Sequence, residues 1–410
     1  MKQLPRGLWV LLAANVVIAL GYGLIAPALP IFATDFGVGV TAASVVVSAF
    51  AMMRLAFAPA TGRLVTKLGE RRIYLTGLLI VALSTLACAF AQDYWQLLVF
   101  RAAGGIGSTM FSVSAMALLI RLAPPLIRGR ASGYYSAGFL VGNLAGPLVG
   151  TALVDFGLRV PFVVYAIALL IAAAVVAFAM PQAPPPVTGP TEHAPKPAAG
   201  FFEALRWAEY RAILASNFAQ GWASIGVRVA IVPLFVEQGL GESTRWAGIV
   251  LACYAAGNIV AIVVSGRLSD RFGRRPVMIP GLVIAAASTI ALGWSPNIYV
   301  VLALTAVSGI GSGLFAPTHQ AALGDLLAER ERGGSALAAY GMASDLGAVS
   351  GPLVAGLIAD RWGYGPAFAV TGGVVVVALV LWLAASDTTR TRPVTTSSAA
   401  TTDDPTRRSR

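Results

Sequence analysis

Charge is the scarcest property of this 410-residue chain: Asp, Glu, Lys and Arg together make up 11% of it, where a soluble domain carries roughly a quarter. That deficit excludes an ordinary soluble enzyme. Cysteine is almost absent, with Cys88 and Cys253 in separate apolar stretches, so neither a disulfide framework nor a thiolate metal site is expected. Histidine is equally rare: His193 falls in a Pro-rich stretch and His319 near the end of an apolar one. No H-E-x-x-H, G-x-S-x-G or Walker A sequence accompanies them. The chain is therefore expected to hold no metal, no cofactor and no catalytic set, and no stretch of it suggests a strand.

Apolar residues fill the space that charge leaves. They make up 57% of the chain, and the mean hydropathy is +0.77. A membrane-spanning helix needs about 20 such residues, and twelve blocks of that kind recur at 8–32, 41–61, 73–92, 94–120, 131–154, 160–180, 212–236, 244–265, 276–294, 298–323, 334–358 and 364–385. Gly and Pro, 44 and 24 in number, are tolerated better in membrane helices than in soluble ones. The fold class expected is an all-α polytopic membrane protein. The first block follows a basic flank, as a signal peptide would, yet runs on to Phe32 without a clear cleavage site, so it reads as the first helix.

Placing the basic residues assigns the topology. Of 29 Lys and Arg, all but six lie in the termini or in the loops on their side; Arg159, Arg245 and Arg361 lie on the other side, and Arg54, Arg101 and Arg228 inside blocks. The positive-inside rule then puts both termini in the cytoplasm. The formal charge of +11 reports that topology and no nucleic-acid partner. None of the five Asn residues opens an N-x-[ST] sequon, which favours a bacterial inner membrane.

The stretch 181–200, PQAPPPVTGPTEHAPKPAAG, is too polar and Pro-rich to span and reads as a linker. It divides residues 1–180, with six blocks, from 212–385, with six more; 181–211 is the expected cytoplasmic linker and 386–410, rich in Thr, Ser and Arg, a disordered tail. Within the linker FFEALRWAEYRAIL is either a short surface helix or an extension of the seventh block. The halves repeat one another. GRLVTKLGERR at 62–72 meets GRLSDRFGRRP at 266–276 and GGIGS at 104–108 meets SGIGS at 308–312, both offset by 204, while AGPLVG at 145–150 meets SGPLVA at 350–355, offset by 205. Two pseudo-symmetric six-helix halves of this kind belong to secondary transporters with a site near the midplane.

Four motifs resemble those of the major facilitator superfamily. The loop GRLSDRFGRR, with Gly266, Asp270, Arg271, Gly273 and Arg274, resembles the G-x-L-x-D-R-x-G-R-R loop, and Gly62, Gly69, Arg71 and Arg72 belong to its first-half counterpart, where Thr66 replaces the family's Asp. Glycines there allow a tight turn, and the resemblance implies a charged latch between the halves in one conformation. FRAAGGIGSTMFS resembles R-x-x-x-G-x-G through Arg101, Gly105 and Gly107; an Arg at that depth faces a cavity or snorkels outward. In the fifth block Gly138, Gly142, Gly146, Pro147 and Gly150 resemble the antiporter signature of exporters, with glycines every fourth residue on one face for close helix contact. LGYGLIAPALPIF in the first block resembles a motif of twelve-helix drug:proton antiporters. Together the likeness covers residues 8 to 385.

Without an ATP site, uphill transport needs an ion gradient, and the resemblance points to protons. One acid, Asp345, lies well inside a block, and an intramembrane acid is a functional candidate by default; its alternative role is a fixed ion pair. Arg54 and Asp345 lie roughly 12 Å and 16 Å from the cytoplasmic surface by helical rise, and the resemblance implies that their helices, the second and the eleventh, meet on the cytoplasmic side when the protein opens outward. The two are therefore expected to pair in that state; the alternative is that Arg54 faces the cavity alone and meets an anionic group of the substrate. Arg101 and Arg228 are the other buried charges. The helices that line the family's cavity carry Asn15, Tyr22, Asn143, Asn217 and Gln220, and also Trp222, Tyr254, Asn258 and Tyr340; several of these are equally suited to bonding neighbouring helices. Apolar walls with few charges suit an amphipathic or aromatic compound. The expectation is a monomeric multidrug-type exporter whose partners are a small-molecule substrate, protons and membrane lipid. A narrow-range metabolite exporter and a non-transporting polytopic sensor are the alternatives.

Overall fold

A computed structural model describes residues 5–124, 127–180, 201–329 and 334–385. The expected linker up to Gly200 and the tail lie outside the described residues. Twelve helices are long and apolar enough to cross a membrane. Those of the first half are α1 Arg6–Thr34, α2 Val40–Leu68, α3 Glu70–Ala89, α4 Tyr94–Leu122, α5 Arg130–Val154 and α6 Val160–Ala179. Those of the second are α7 Ala208–Gly239, α8 Thr244–Phe272, α9 Arg274–Leu292, α10 Ile298–Leu327, α11 Ala336–Trp362 and α12 Tyr364–Ala384. Each coincides with one apolar block of the sequence. Among the described residues there is no strand.

Two boundaries differ from the sequence expectation in the same way. α2 and α8 run past their apolar blocks to Leu68 and Phe272, so Gly62 and Gly266 are helical residues with open space around them. The tight turns fall instead at Gly69 and Gly273, whose φ angles of 85° and 101° are those that glycine adopts without steric cost. A helix leaving the apolar layer has no reason to stop there, because water solvates its polar side chains. The segment after the linker also resolves: Phe201–Ala204 is a single turn, and the rest extends α7 from Ala208. Tyr210 anchors that extension by donating its hydroxyl to the Ala336 carbonyl at 2.8 Å.

Two helices are irregular. α1 is interrupted at Pro27, between Arg6–Ile25 and Ala28–Thr34, where proline has no amide to give. α7 contains π-helical turns at Gly221–Val227 and Phe235–Gly239, a geometry frequent at functional sites.

Within each half the sequence repeat becomes a repeated contact. The Asn15 amide donates to the Tyr135 carbonyl at 2.7 Å, tying α1 to α5, and the Asn217 amide donates to the Tyr340 carbonyl at 2.6 Å, tying α7 to α11. The glycine face of α5 lies on α1: a Cβ on Gly146 would come within 2.4 Å of the Leu20 carbonyl oxygen, and one on Gly142 within 2.7 Å of the Leu20 nitrogen. Gly347 and Gly351 of α11 lie likewise on Phe218 and Trp222 of α7. These glycines hold helices of one half together.

The halves touch along α2 with α11 and α5 with α8. Ser48 donates its hydroxyl to the Val349 carbonyl at 2.8 Å, Gly356 packs on Ser44, and Gly248 packs on Pro147 and Thr151. All of these lie toward the end remote from the basic loops. Toward the basic end Phe57 and Leu64 of α2, Tyr134 and Phe139 of α5, and Leu337 and Met342 of α11 are exposed. Gly62 of α2, Gly133 of α5 and Gly341 of α11, toward that basic end, meet nothing within 4 Å, in contrast to Gly248 and Gly356, so the halves are closed at one end and parted at the basic end. Exposed apolar side chains such as Ile171 and Phe178 of α6 and Val377 and Val380 of α12 form an outer surface suited to lipid.

Candidate functional site

Where the α2–α11 seam begins to part, a cavity of about 180 Å³ opens between the halves, lined by Tyr22 of α1, Phe50 and Arg54 of α2, Arg101 of α4, Ile225 of α7 and Asp345 of α11, among others. Arg101 is only 6% exposed and does not snorkel outward. Its guanidinium carbon lies 4.0 Å from the centre of the Phe50 ring, a cation–π contact that offsets part of the cost of burying the charge. The Nε atoms of Arg54 and Arg101 are both buried without a hydrogen-bond partner. Arg54 and Asp345 line this cavity from opposite halves, and among the described residues the two form no direct ion pair.

A smaller cavity, about 20 Å³, is lined by Tyr22, Asn143, Pro147, Arg228 and Leu251 among others. Arg228 donates from Nε to the Ser224 carbonyl at 2.7 Å and sits 3.8 Å from the Tyr254 ring centre. Phe50 and Tyr254 are related by the 204-residue offset. Each half therefore sets an arginine on the same aromatic position, from α4 in the first and from α7 in the second. Beside Arg228, the Tyr254 hydroxyl donates to Ser224 Oγ at 2.6 Å, and Gln220 Oε1 accepts from Ser312 at 2.9 Å.

The other sequence candidates sit in helix contacts. Asn15 and Asn217 make the ties described above, Tyr340 supplies the carbonyl for one of them, and the Asn258 amide reaches the Gly309 carbonyl at 3.4 Å. Trp222 is 7% exposed under Gly351, with its indole N–H unpartnered. Of the nine expected cavity residues, Tyr22 and Asn143 line the two cavities described, and Tyr254 lines a third of about 30 Å³ with Ser224, Arg228 and Phe368 among others. The sequence reading missed Phe50, Ser224, Ile225 and Ser344. Phe50 was signalled by its repeat mate Tyr254; Ser224 and Ile225 lie on the π-helical turn, which shifts them off the face that regular helical spacing assigns.

The basic-end loops brace each half internally. Glu70 at the start of α3 pairs with Arg121 of α4 at 2.6 Å, and Arg274 at the start of α9 pairs with Asp325 of α10 at 2.8 Å. Both partners are related by the 204-residue offset, with the charges reversed. Arg71 donates to the Ala177 carbonyl near the end of α6, and Arg275 to the Leu383 carbonyl of α12 at 2.6 Å. Arg274 also donates to Asp270, while Thr66 at the equivalent position bonds the Gly62 carbonyl of its own helix. Arg271 lies over the neighbouring Phe272 ring, and Arg72 is exposed. All of these contacts stay inside one half in this conformation.

The family model described as Major Facilitator Superfamily matches residues 11–227 and 213–408. The chain belongs to the major facilitator superfamily. It is therefore a multi-pass membrane transporter of small molecules and not an enzyme. Among curated members of the superfamily it is 24% identical over 384 residues to multidrug resistance protein 2 of Bacillus subtilis, covering 92% of this chain and 94% of that one. It is 28% identical over 322 residues to the class H tetracycline resistance protein of Pasteurella multocida, covering 75% and 78%. Its fold matches a bacterial homologue of the human lysosomal transporter Spinster, solved in an inward-facing, occupied conformation, with a TM-score of 0.72 at 16% identity over 92% of this chain and 95% of that one.

Proposed function

We propose that this protein exports small hydrophobic or amphipathic compounds, in multidrug fashion, in exchange for protons. It works by alternating access as a monomer in a bacterial inner membrane, with both termini in the cytoplasm, so the parted basic end is the inward opening. The observation that carries this reading is the cavity shared by Tyr22, Phe50, Arg54, Arg101 and Asp345: aromatic walls for an apolar cargo, with one acid able to take and release a proton beside two arginines, of which Arg101 is engaged with the Phe50 ring. Asp345 comes from α11 and Arg54 from α2, which part at the basic end. Closing that end draws the ionised carboxylate toward Arg54, and a proton on Asp345 cancels the attraction, so proton occupancy biases which end is shut. Resistance and efflux proteins among the relatives and the glycine face of α5 against α1 support the export direction.

The test is transport by the purified protein in liposomes. An imposed pH gradient, acidic on the external side, should drive a fluorescent amphipathic dye against its own gradient, and dissipating the gradient should stop it. Transport of the dye that ignores the gradient would reject exchange, and transport of one metabolite with none of any dye would favour the narrow-range exporter.

A further inference from the structure

We propose that Asp360 is the outer-gate latch of this transporter, a carboxylate of the second half that shuts the external end by capping a helix of the first. α2 starts behind Gly39, which has no side chain to cap it. Asp360, in the last turn of α11, does so instead. Val40 donates its amide to Oδ1 at 2.9 Å, Thr41 donates its amide to Oδ2 at 2.7 Å, and the Thr41 hydroxyl donates to the same oxygen. A Cβ on Gly39 would lie 3.1 Å from both oxygens, so a bare backbone is what lets the carboxylate in at full contact.

The first amides of any helix lack partners within it, and the positive end of the helix dipole favours an anion there. Such a cap ordinarily comes from the residue that precedes the helix. Here it comes from the other half, 320 residues away, so it exists only while the halves are together at this end. A cap of this origin reports and stabilises one conformation of the whole protein.

The second seam lacks the device. Asp155 at the end of α5 and Thr244 at the start of α8 stand at the repeat positions of Asp360 and Val40. Yet the N-terminus of α8 has no capping side chain of its own, and among the described residues Asp155 makes no hydrogen bond to it. That seam closes by packing, with Gly248 against Pro147 and Thr151. One outer seam is held by charge and the other by shape. The latch lies at the end of the seam whose middle is the Ser48–Val349 bond and whose open side holds Arg54 and Asp345.

The proposal rests on alternating access, and the experiment separates the two. Spin labels at Phe90→Cys and Trp294→Cys, both exposed in outer turns of opposite halves, are placed in the full chain with Cys88→Ser and Cys253→Ser, and their distance distribution is read by pulsed electron resonance. Asp360→Asn and Asp360→Ala should raise the ratio of long to short distances on the order of tenfold, the scale expected for loss of a charged helix cap. Asp360→Glu should restore the short distance in part, and Thr41→Val, which keeps both amides, should shift it less. A second label pair at the cytoplasmic end should move oppositely in the same samples. Gly248→Val, which crowds the packed seam, serves as the control for opening. If it lengthens the outer distance while the Asp360 variants do not, the latch is overturned and alternating access stands. If none of them changes either distance, both readings fall.

Discussion

Arg54 and Asp345 line one cavity from opposite halves without an ion pair between them. The helices that carry them are bound just toward the closed end, where Ser48 donates to the Val349 carbonyl, and diverge below it. The two charges therefore stand at the fork of the seam, where the halves begin to part.

Removal of either charge should impair transport, because the partner is then left unpaired at membrane depth. Asp345→Asn is expected to abolish pH-driven dye transport and to keep dye binding, as read by fluorescence of the purified protein. Arg54→Ala and Asp345→Ala should each reduce transport, and the double variant should be no worse than the poorer single one. Strictly additive losses would mean that the two act independently.

The glycine face of α5 makes a graded prediction. Gly138 meets the flexible end of Val16, whereas Gly142 and Gly146 meet backbone atoms of α1. Gly138→Ala should leave the melting temperature in detergent nearly unchanged. Gly142→Ala and Gly146→Ala should lower stability by about 1–3 kcal/mol as overpacked contacts, and Gly146→Leu should abolish efflux. Equal tolerance at all three positions would contradict the packing described.

The reversed ion pairs of the basic-end loops invite a swap. Glu70→Arg alone places two arginines together and should lower stability on the order of 1 kcal/mol, given partly buried side chains. Adding Arg121→Asp copies the arrangement of Arg274 and Asp325, so the double variant should regain most of that loss in a thermal melt. A double variant no better than Glu70→Arg would show that the brace needs its own polarity.

Asp35, just beyond α1 at the closed end and exposed, is raised from the ordinary aspartate value by its partial burial in a groove with Phe32, Phe36, Phe156 and Arg159. A raised folded-state value means that ionisation is disfavoured in the fold, so the protein gains stability as pH falls and loses it as pH rises through the raised value. Asp35→Asn should remove that slope and melt no lower than the native chain at neutral pH. Melting curves between pH 4 and 7, roughly the window above an ordinary aspartate, provide the measurement.

The spans were legible in the sequence because hydropathy reports them directly. Side-chain partners were not. Asn15 and Tyr135 are 120 residues apart, and nothing local marks an amide as bound to a neighbouring helix and not to cargo. Gly62 looked like a turn because the apolar block ends there, yet the helix outlasts the hydrophobicity. The loop arginines resemble a latch that joins the halves in one conformation; in this one, parted at the basic end, Arg274 bonds Asp270 and Asp325 and Arg71 and Arg275 bond helix-end carbonyls, contacts that lie within one half. Ser224 stayed hidden because regular helical spacing fails on the π-helical turn of α7.

The glycine contacts have a mechanical consequence. Where α5 meets α1, and α11 meets α7, glycines bring backbone against backbone, and few side chains are left there to change rotamer and absorb a bend. Each of these pairs is a stiff beam. Any shape change that moves cargo is concentrated in the joints outside the beams: the Ser48 fastening, the Asp360 clasp and the Gly248 bearing. A load applied at the basic end is carried along the beams to the far end with little lost on the way.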